Sequence, residues 1–378
     1  MQARTTGTYL PTLDGWRAIA IALVLLAHAS DSIQNAIDFS AFSNTDTLKK
    51  FGMLGVQLFF GLSGFLITSK LMDEEFRHGK ISLKSFYIRR AFRILPASTF
   101  FLAIAGILAL TGLIDISLGR WLSALLFSAN YTHADHSWYL GHFWSLAVEE
   151  HFYFLWPAAF LLLGVSRRRT ALAIFAALLI ALWRAVDFKF QLTGSAPDVF
   201  WGRTDIQADS ILWGVLVALL YGERSWQLRL QKFYSLPASW PTLVIALLAI
   251  QSIPDLNWKL NFLLISIKAV LIPLVILGTV IQHSALAGRI LETPILRWLG
   301  RLSYSLYLWQ QLFLVWNDDR APALAWLQIF PSNLLAVFAC ATVSMLFIEN
   351  PLIAAGHRIA SRIARRSTSD DRPNTTHA

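Results

Sequence analysis

About ten apolar stretches recur along this chain, at roughly 16–31, 51–69, 94–113, 147–165, 170–185, 206–221, 238–253, 260–282, 302–316 and 331–348. A soluble core cannot absorb so many, because single cores stop growing at ~250–300 residues. Several stretches fall short of the ~20 residues that a perpendicular membrane helix needs. Trp and Tyr at their ends extend them into the interface. Composition agrees: 56% of residues are hydrophobic and 15% charged, against roughly 25% charged in an average globular chain. A mean hydropathy of +0.52 and 15 Trp point the same way. The expected fold is an all-α polytopic membrane protein of about ten transmembrane helices. The run Leu118 to Ala129 is too short to cross and is read as an interfacial helix. Collagen, disorder and a disulfide scaffold are excluded; the single Cys340 has no partner within the chain.

A formal charge of +9 would point to nucleic acid in a soluble protein, but here the placement of the charges decides. With a cytoplasmic N-terminus, inside segments hold 22 Lys and Arg and outside segments seven, with Arg17, Arg184 and Lys268 within spans. The positive-inside rule then places both termini in the cytoplasm. The basic balance reflects topology and anionic lipid, and no nucleic-acid partner is expected. Residues 1–366 read as one membrane-embedded domain without internal repeats. Residues 367–378 read as a disordered polar tail. The first span, followed by Ala27-His28-Ala29, has the outline of a signal peptide; it is read as a retained helix.

Ionisable side chains inside spans are costly and are treated as functional by default. Arg17 and His28 fall on one face of the first helix about 16 Å apart, since eleven positions overshoot three turns by about 20°. Asp14 shares that face and can pair with Arg17. The bland alternative is a snorkelling Arg and a hydrogen-bonded core His. The run His142 to Tyr153 enters the fourth span from outside and carries Glu149 and Glu150. One reading has a carboxylate orienting an imidazole that acts as general base; the other has it answering the helix dipole. Only one of the two can face a given partner well. Arg89, Arg90 and Arg93 close the most basic inside loop, where guanidinium groups suit phosphates and also satisfy the positive-inside rule. Gly61 and Gly64 permit close helix packing.

Taken in order, these segments resemble the acyltransferase-3 family of bacterial integral-membrane O-acyltransferases. Arg17 to His28 matches that family's arginine, ten residues, histidine. Gly55 to Ile67, with Ser63, resembles its second-helix motif, and Arg89-Arg90 with Arg93 and Pro96 its third-helix entry. Trp144-Ser145-Leu146 with Glu149-Glu150 and Tyr153 matches its Trp-Ser-Leu…Glu-Glu…Phe-Tyr signature. Arg203, Asp209 and Gly214 resemble the sixth-span entry; Leu302 to Trp309 and Ile348 to Pro351 resemble the last two helices. Three positions depart: Gln57 where an acidic residue is common, His151 for a glutamine, and Gln310 for a histidine. None of the three is expected to touch Arg17, His28 or Glu149.

The resemblance implies acyl transfer, acetyl above all, from cytoplasmic acyl-CoA to a hydroxyl of an envelope glycan, lipid-linked sugar or related acceptor, in the bacterial cytoplasmic (inner) membrane. His28, Arg17, Glu149 and Glu150 are the candidate catalytic residues. Arg89, Arg90 and Arg93 are candidates for the CoA phosphates. Asp14, Ser63, Trp144, Ser145, Tyr153, Arg203 and Asp209 are candidates for substrate or structural support. Acyl-CoA is expected as donor substrate, with no permanently bound cofactor and no metal; His133, His136 and His142 read as loop residues. A polytopic transporter is the main rival, though no inverted repeat is visible. An intramembrane serine protease built on Ser63 lacks a later intramembrane His, since His283, His357 and His377 read as loop or tail.

Overall fold

Inside a bilayer no water satisfies the backbone, so a spanning segment must close its own hydrogen bonds as a helix. The structure is a computed structural model that describes residues 9–36, 45–132, 138–254, 257–316 and 320–369. His133, His136, His377 and residues 370–378 of the expected tail lie outside these. The described residues form helices α1 (Pro11–Ala36), α2 (Thr45–His78), α3 (Leu83–Leu110), α4 (Leu118–Leu125), α5 (Phe143–Leu163), α6 (Ser166–Phe190), α7 (Pro197–Phe200), α8 (Thr204–Gln207), α9 (Asp209–Gly222), α10 (Arg224–Tyr234), α11 (Ser239–Ser252), α12 (Trp258–Ile281), α13 (Leu286–Leu291), α14 (Pro294–Phe313), α15 (Ser332–Ser344) and α16 (Asn350–Ser369). No strand occurs among the described residues. Side-chain caps start three of these helices: Ser82 accepts from the Ser85 amide, Ser117 from Arg120 and Asn257 from Leu260.

Among the described residues, seven helical segments are long and apolar enough to cross a membrane: Pro11–Gln34, Leu48–His78, Leu83–Leu110, Trp138–Leu163, Ser166–Phe190, Trp258–Ile281 and Ser332–Ala364. Each remaining expected span has a physical reason for missing that standard. α9 has only 14 residues. α10 and α11 together are apolar enough but meet at an 83° bend. α14 carries Ser303, Ser305, Gln310 and Gln311, all buried against protein, so its polarity need not face lipid. α4 is the short helix expected before the fourth span.

The pattern of burial is that of a membrane bundle. On α6, Phe175, Leu178, Leu179 and Leu182 face outward while Arg184 and Asp187 are buried. Arg184 donates to both oxygens of Asp209 at 3.1 and 3.0 Å, and to Ser266 Oγ at 2.8 Å. With both partners of that ion pair fully buried, the fork fixes α6 to α9.

The central helices approach closely through glycine. A Cβ on Gly64 would sit 2.0 Å from the Ile211 carbonyl oxygen, and one on Gly214 would sit 2.3 Å from that of Gly61. α2 and α9 therefore cross in backbone contact, and Gly61 and Gly64 are the packing residues expected. α1 meets α14 similarly, where a Cβ on Gly300 would overlap the Asp14 carbonyl at 1.9 Å.

Side-chain contacts also fix the directions of the helices. Arg17 and His28 on α1 reach Ser303 and Gln310 on α14, in that order, so the two helices run parallel. α2 and α9 are parallel too, with Gly64 against Ile211 and Met72 against Gly222. α11 and α12 are antiparallel, since Trp240 meets Val275 and Gln251 meets Lys268. α3 and α16 are antiparallel, through Ser85 to Ala360 and Phe92 to Gly356.

Candidate active site

α1 presents Arg17 and His28 along one stripe, as the helical period requires, and α14 receives both. The Arg17 guanidinium donates twice to Ser303 Oγ, at 3.2 and 3.1 Å. It does not pair with Asp14; that carboxylate instead accepts the Tyr9 hydroxyl. His28 Nδ1 is held by Gln310 Oε1, and the ring packs edge-on against Trp138 at 5.2 Å. With the Gln310 amide in this orientation its carbonyl oxygen accepts from Nδ1, and Nε2 keeps its lone pair. Among the described residues Nε2 has no hydrogen-bond partner. Gln310 thus touches His28 directly, against the expectation that no departure from the family pattern would. A helix 282 positions away supplies it, so no local spacing could reveal the contact.

The paired carboxylates sit deeper than expected. α5 begins at Phe143, which puts Glu149 and Glu150 past the first turn, where the dipole effect has faded. The expected bond from a carboxylate to the imidazole is not formed by Glu149. It accepts from Ser63 Oγ at 3.0 Å and from the Tyr153 hydroxyl at 2.7 Å, and Ser63 and Tyr153 lie 2.6 Å apart. The Arg90 guanidinium stacks 3.5 Å over the Tyr153 ring and lies within electrostatic reach of Glu149 and Glu150. Ser63, Arg90, Glu149 and Tyr153 therefore form one network across α2, α3 and α5. Ser145 shares a 2.5 Å hydrogen bond with Tyr307 of α14, and Trp144 packs edge-on against Phe60 at 6.1 Å.

Cations converge from three helices. Arg93 lies within electrostatic reach of Arg17 and Arg90, and Lys70 within reach of Arg93, Arg90, Arg17 and Arg89. Five positive side chains within such reach raise the positive potential of one region. Arg89 is partly committed elsewhere, pairing with Glu74 at 2.9 Å. Glu349 closes the cluster from the opposite side, within reach of Arg93 and Arg17. It sits in a π-helical turn, Met345–Glu349, between α15 and α16, and accepts from Ser305 Oγ. Such turns are common at functional sites. Lys70 and Glu349 carried a sequence signal, each a charge one position past an expected span; neither was named as a site residue, although Glu349 falls within the Ile348 to Pro351 motif.

Arg203 and Asp209 lie apart from this cluster, in fully engaged ion pairs. Arg203 donates to Asp187 at 2.8 Å and to Asp205, Thr193 and Ser195. Burial works against its charge, but Asp205 and Asp187 outweigh that and hold its pKa above the usual arginine value. Both residues serve to fix the loop before α9. His142 lies in the turn that leads into α5, as expected, but it is buried there. It is 2% exposed, its ring and its backbone amide both meet Gln311 Oε1 at 2.7 Å, and it packs against Tyr307 at 5.6 Å. His357 lies on α16 rather than in a loop, on its exposed side.

Among the described residues the fold is a multi-pass helical membrane bundle, with an intramembrane imidazole on α1 and cationic side chains about three turns away along it. The chain belongs to the acyltransferase-3 family: that family's acyltransferase domain matches residues 10–349. A Staphylococcus aureus (strain COL) protein named "Putative O-acetyltransferase" is 30% identical over 373 residues, covering 92% of this chain and 58% of its own. "O-acetyltransferase OatA" of Staphylococcus aureus (strain MRSA252) is 28% identical, over 95% of this chain and 60% of its own. "Putative peptidoglycan O-acetyltransferase YrhL" of Bacillus subtilis (strain 168) is 27% identical, over 94% and 56%. The chain therefore spans less than two thirds of the length of these relatives. No solved structure matches it.

Proposed function

We propose that the chain is an integral-membrane O-acyltransferase that moves an acyl group, acetyl above all, from acyl-CoA to a hydroxyl of an envelope glycan, lipid-linked sugar or related acceptor. The observation that carries this reading is the bond from His28 Nδ1 to Gln310, which leaves Nε2 as an oriented base inside the bundle. Nε2 takes the acceptor's hydroxyl proton as the oxygen attacks the thioester carbonyl. The carbon–sulfur bond breaks, the CoA sulfur leaves with the electron pair, and the imidazolium returns its proton to that sulfur. The products are the acyl ester and free CoA. Arg17, Lys70, Arg90 and Arg93 suit the CoA phosphates. His28 stands about 16 Å further along α1, a depth that the extended pantetheine arm can cover.

Ten crossings with both termini cytoplasmic, in the bacterial inner membrane, complete the reading. Helix directions favour it. With seven crossings only, α3 and the last span would be the third and seventh and would run parallel, whereas they are antiparallel. With ten, α1 and α14 are both odd, α2 and α9 both even, and every observed direction fits. The relatives' printed names favour peptidoglycan or a similar glycan as acceptor. The test is to follow labelled acetyl-CoA with purified protein and envelope glycan. Transfer of label to glycan hydroxyls, lost in His28→Ala, is the expected result; label unmoved by wild type sinks the reading.

A further inference from the structure

A cavity of about 290 Å³ opens between α2, α11, α12 and the α6–α8 connection. It faces another side of α2 from the Glu149 network, because Gln57, which lines it, and Ser63 are about 120° apart around that helix. Its volume is at the small end of ligand pockets, ~300–1,000 Å³. That size fits one ring rather than a chain of them.

Two features of the lining indicate the ligand. The first is a pair of glutamine carbonyl oxygens, Gln57 Oε1 and Gln207 Oε1, which are buried without any hydrogen-bond donor. Gln57 is 3% exposed and Gln207 4%. The Gln207 amide is oriented by its own Nε2, which donates to the Trp201 carbonyl at 2.9 Å, so its oxygen is held outward from that bond. Buried acceptors left empty are rare enough to need an explanation; a donating ligand that displaces the side chains closed over them would meet both. The second feature is the aromatic wall. Phe188, Trp201 and Trp258 line the cavity, with Phe188 packed 6.1 Å from Trp258 and 6.4 Å from Trp201.

We propose that this cavity is a second binding site, for a single pyranose ring. Sugar hydroxyls and an N-acetyl N–H supply the missing donors, and the apolar face of the ring lies on the tryptophans. A lipid phosphate fits less well. Lys50 and Lys268 line the cavity too, Lys268 donating to Gln251 Oε1 at 3.0 Å, but a phosphate diester offers acceptors only and would leave both glutamine oxygens unmet. The inference goes beyond acyl transfer and does not depend on it, since the site is defined by binding alone.

The test is tryptophan fluorescence of the detergent-purified full chain, titrated with N-acetylglucosamine and, as control, with the same sugar fully O- and N-methylated. A saturable change with the free sugar and none with the methylated one is expected. Gln57→Met, which keeps the volume and removes the acceptor, should weaken binding at least about fivefold, the scale of one lost hydrogen bond. Trp258→Phe should weaken it too, and provides a second variant should Gln57→Met fail to show a normal melting transition. His28→Ala should bind as wild type, which separates this site from the reactive one. Equal binding of the methylated sugar, no saturable response, or wild-type binding by both cavity variants would overturn the proposal. So would a response only to short-chain phosphatidic acid.

Discussion

The bond between His28 and Gln310 makes a specific demand on catalysis. It fixes which imidazole nitrogen is free without adding charge, because an amide cannot stabilise an imidazolium as a carboxylate would. Gln310→Leu should leave His28 in place but let its ring and tautomer wander. A buried hydrogen bond of ~1–3 kcal/mol converts to roughly a tenfold to hundredfold loss in kcat, with the acyl-CoA KM little changed. A steady-state comparison decides this; a raised KM with normal kcat would assign Gln310 to donor binding instead. His28→Ala should abolish transfer while the melting transition of the purified protein persists. Glu149 and Glu150 should separate. Glu149→Gln disturbs the bonds to Ser63 and Tyr153 and should lose more kcat/KM than Glu150→Gln. The stripe holding Arg17 and His28 was legible from helical period alone. The partners of these residues were not, because Ser303 and Gln310 come from a helix far along the chain, and only the folded bundle brings them together.

Among the elements, α3 is the one whose charge can be tested apart from its hydrophobicity. Three arginines enter the cationic cluster from this helix, yet they are not equivalent, because Glu74 already holds Arg89. Arg93→Gln should therefore raise the acyl-CoA KM more than Arg89→Gln. A lost charged hydrogen bond of about 1.5–3 kcal/mol corresponds to roughly 10- to 150-fold in kcat/KM. Lys at position 93 should rescue only in part, keeping charge but losing the planar fork; full rescue by Lys would reduce the site to plain positive charge. The crossing of α2 and α9 makes a different kind of demand. Gly214→Val would drive a side chain into the Gly61 carbonyl, and overpacking of this kind costs ~1–3 kcal/mol or more. Its measure is a lowered melting temperature in detergent. Apolar length located every one of these elements in the sequence. It misjudged α5, which starts before its apolar run, and gave no hint that α10 and α11 meet at a sharp bend.

For the whole molecule, helix directions and charge placement make one joint prediction. If the bundle crosses ten times, the loops after α3 and α6 face outward, while those after α5 and α12 face the cytoplasm. The directions of α3 against α16 and α11 against α12 require an even total with α11 as a crossing; once the polar helix α14 crosses parallel to α1, the short helix α9 must cross too, which makes ten. The charge asymmetry of 22 Lys and Arg against seven requires the same parity, because an odd number would send the basic α16 outward. The first argument rests on packing; the second rests on composition, counted over the ten expected spans. In a Cys340→Ala background, cysteines placed singly at Gly112 and Ser195 should react with a membrane-impermeant maleimide in intact cells. Cysteines at Ser166 and Ser284 should react only after the membrane is opened. Alkaline phosphatase fused after residue 378 should stay inactive, since that enzyme needs the oxidising exterior to form its disulfides. An active fusion, or labelling of Ser166 in intact cells, would break the parity. It would also put the cluster around Arg93 on the side of the membrane where acyl-CoA is absent.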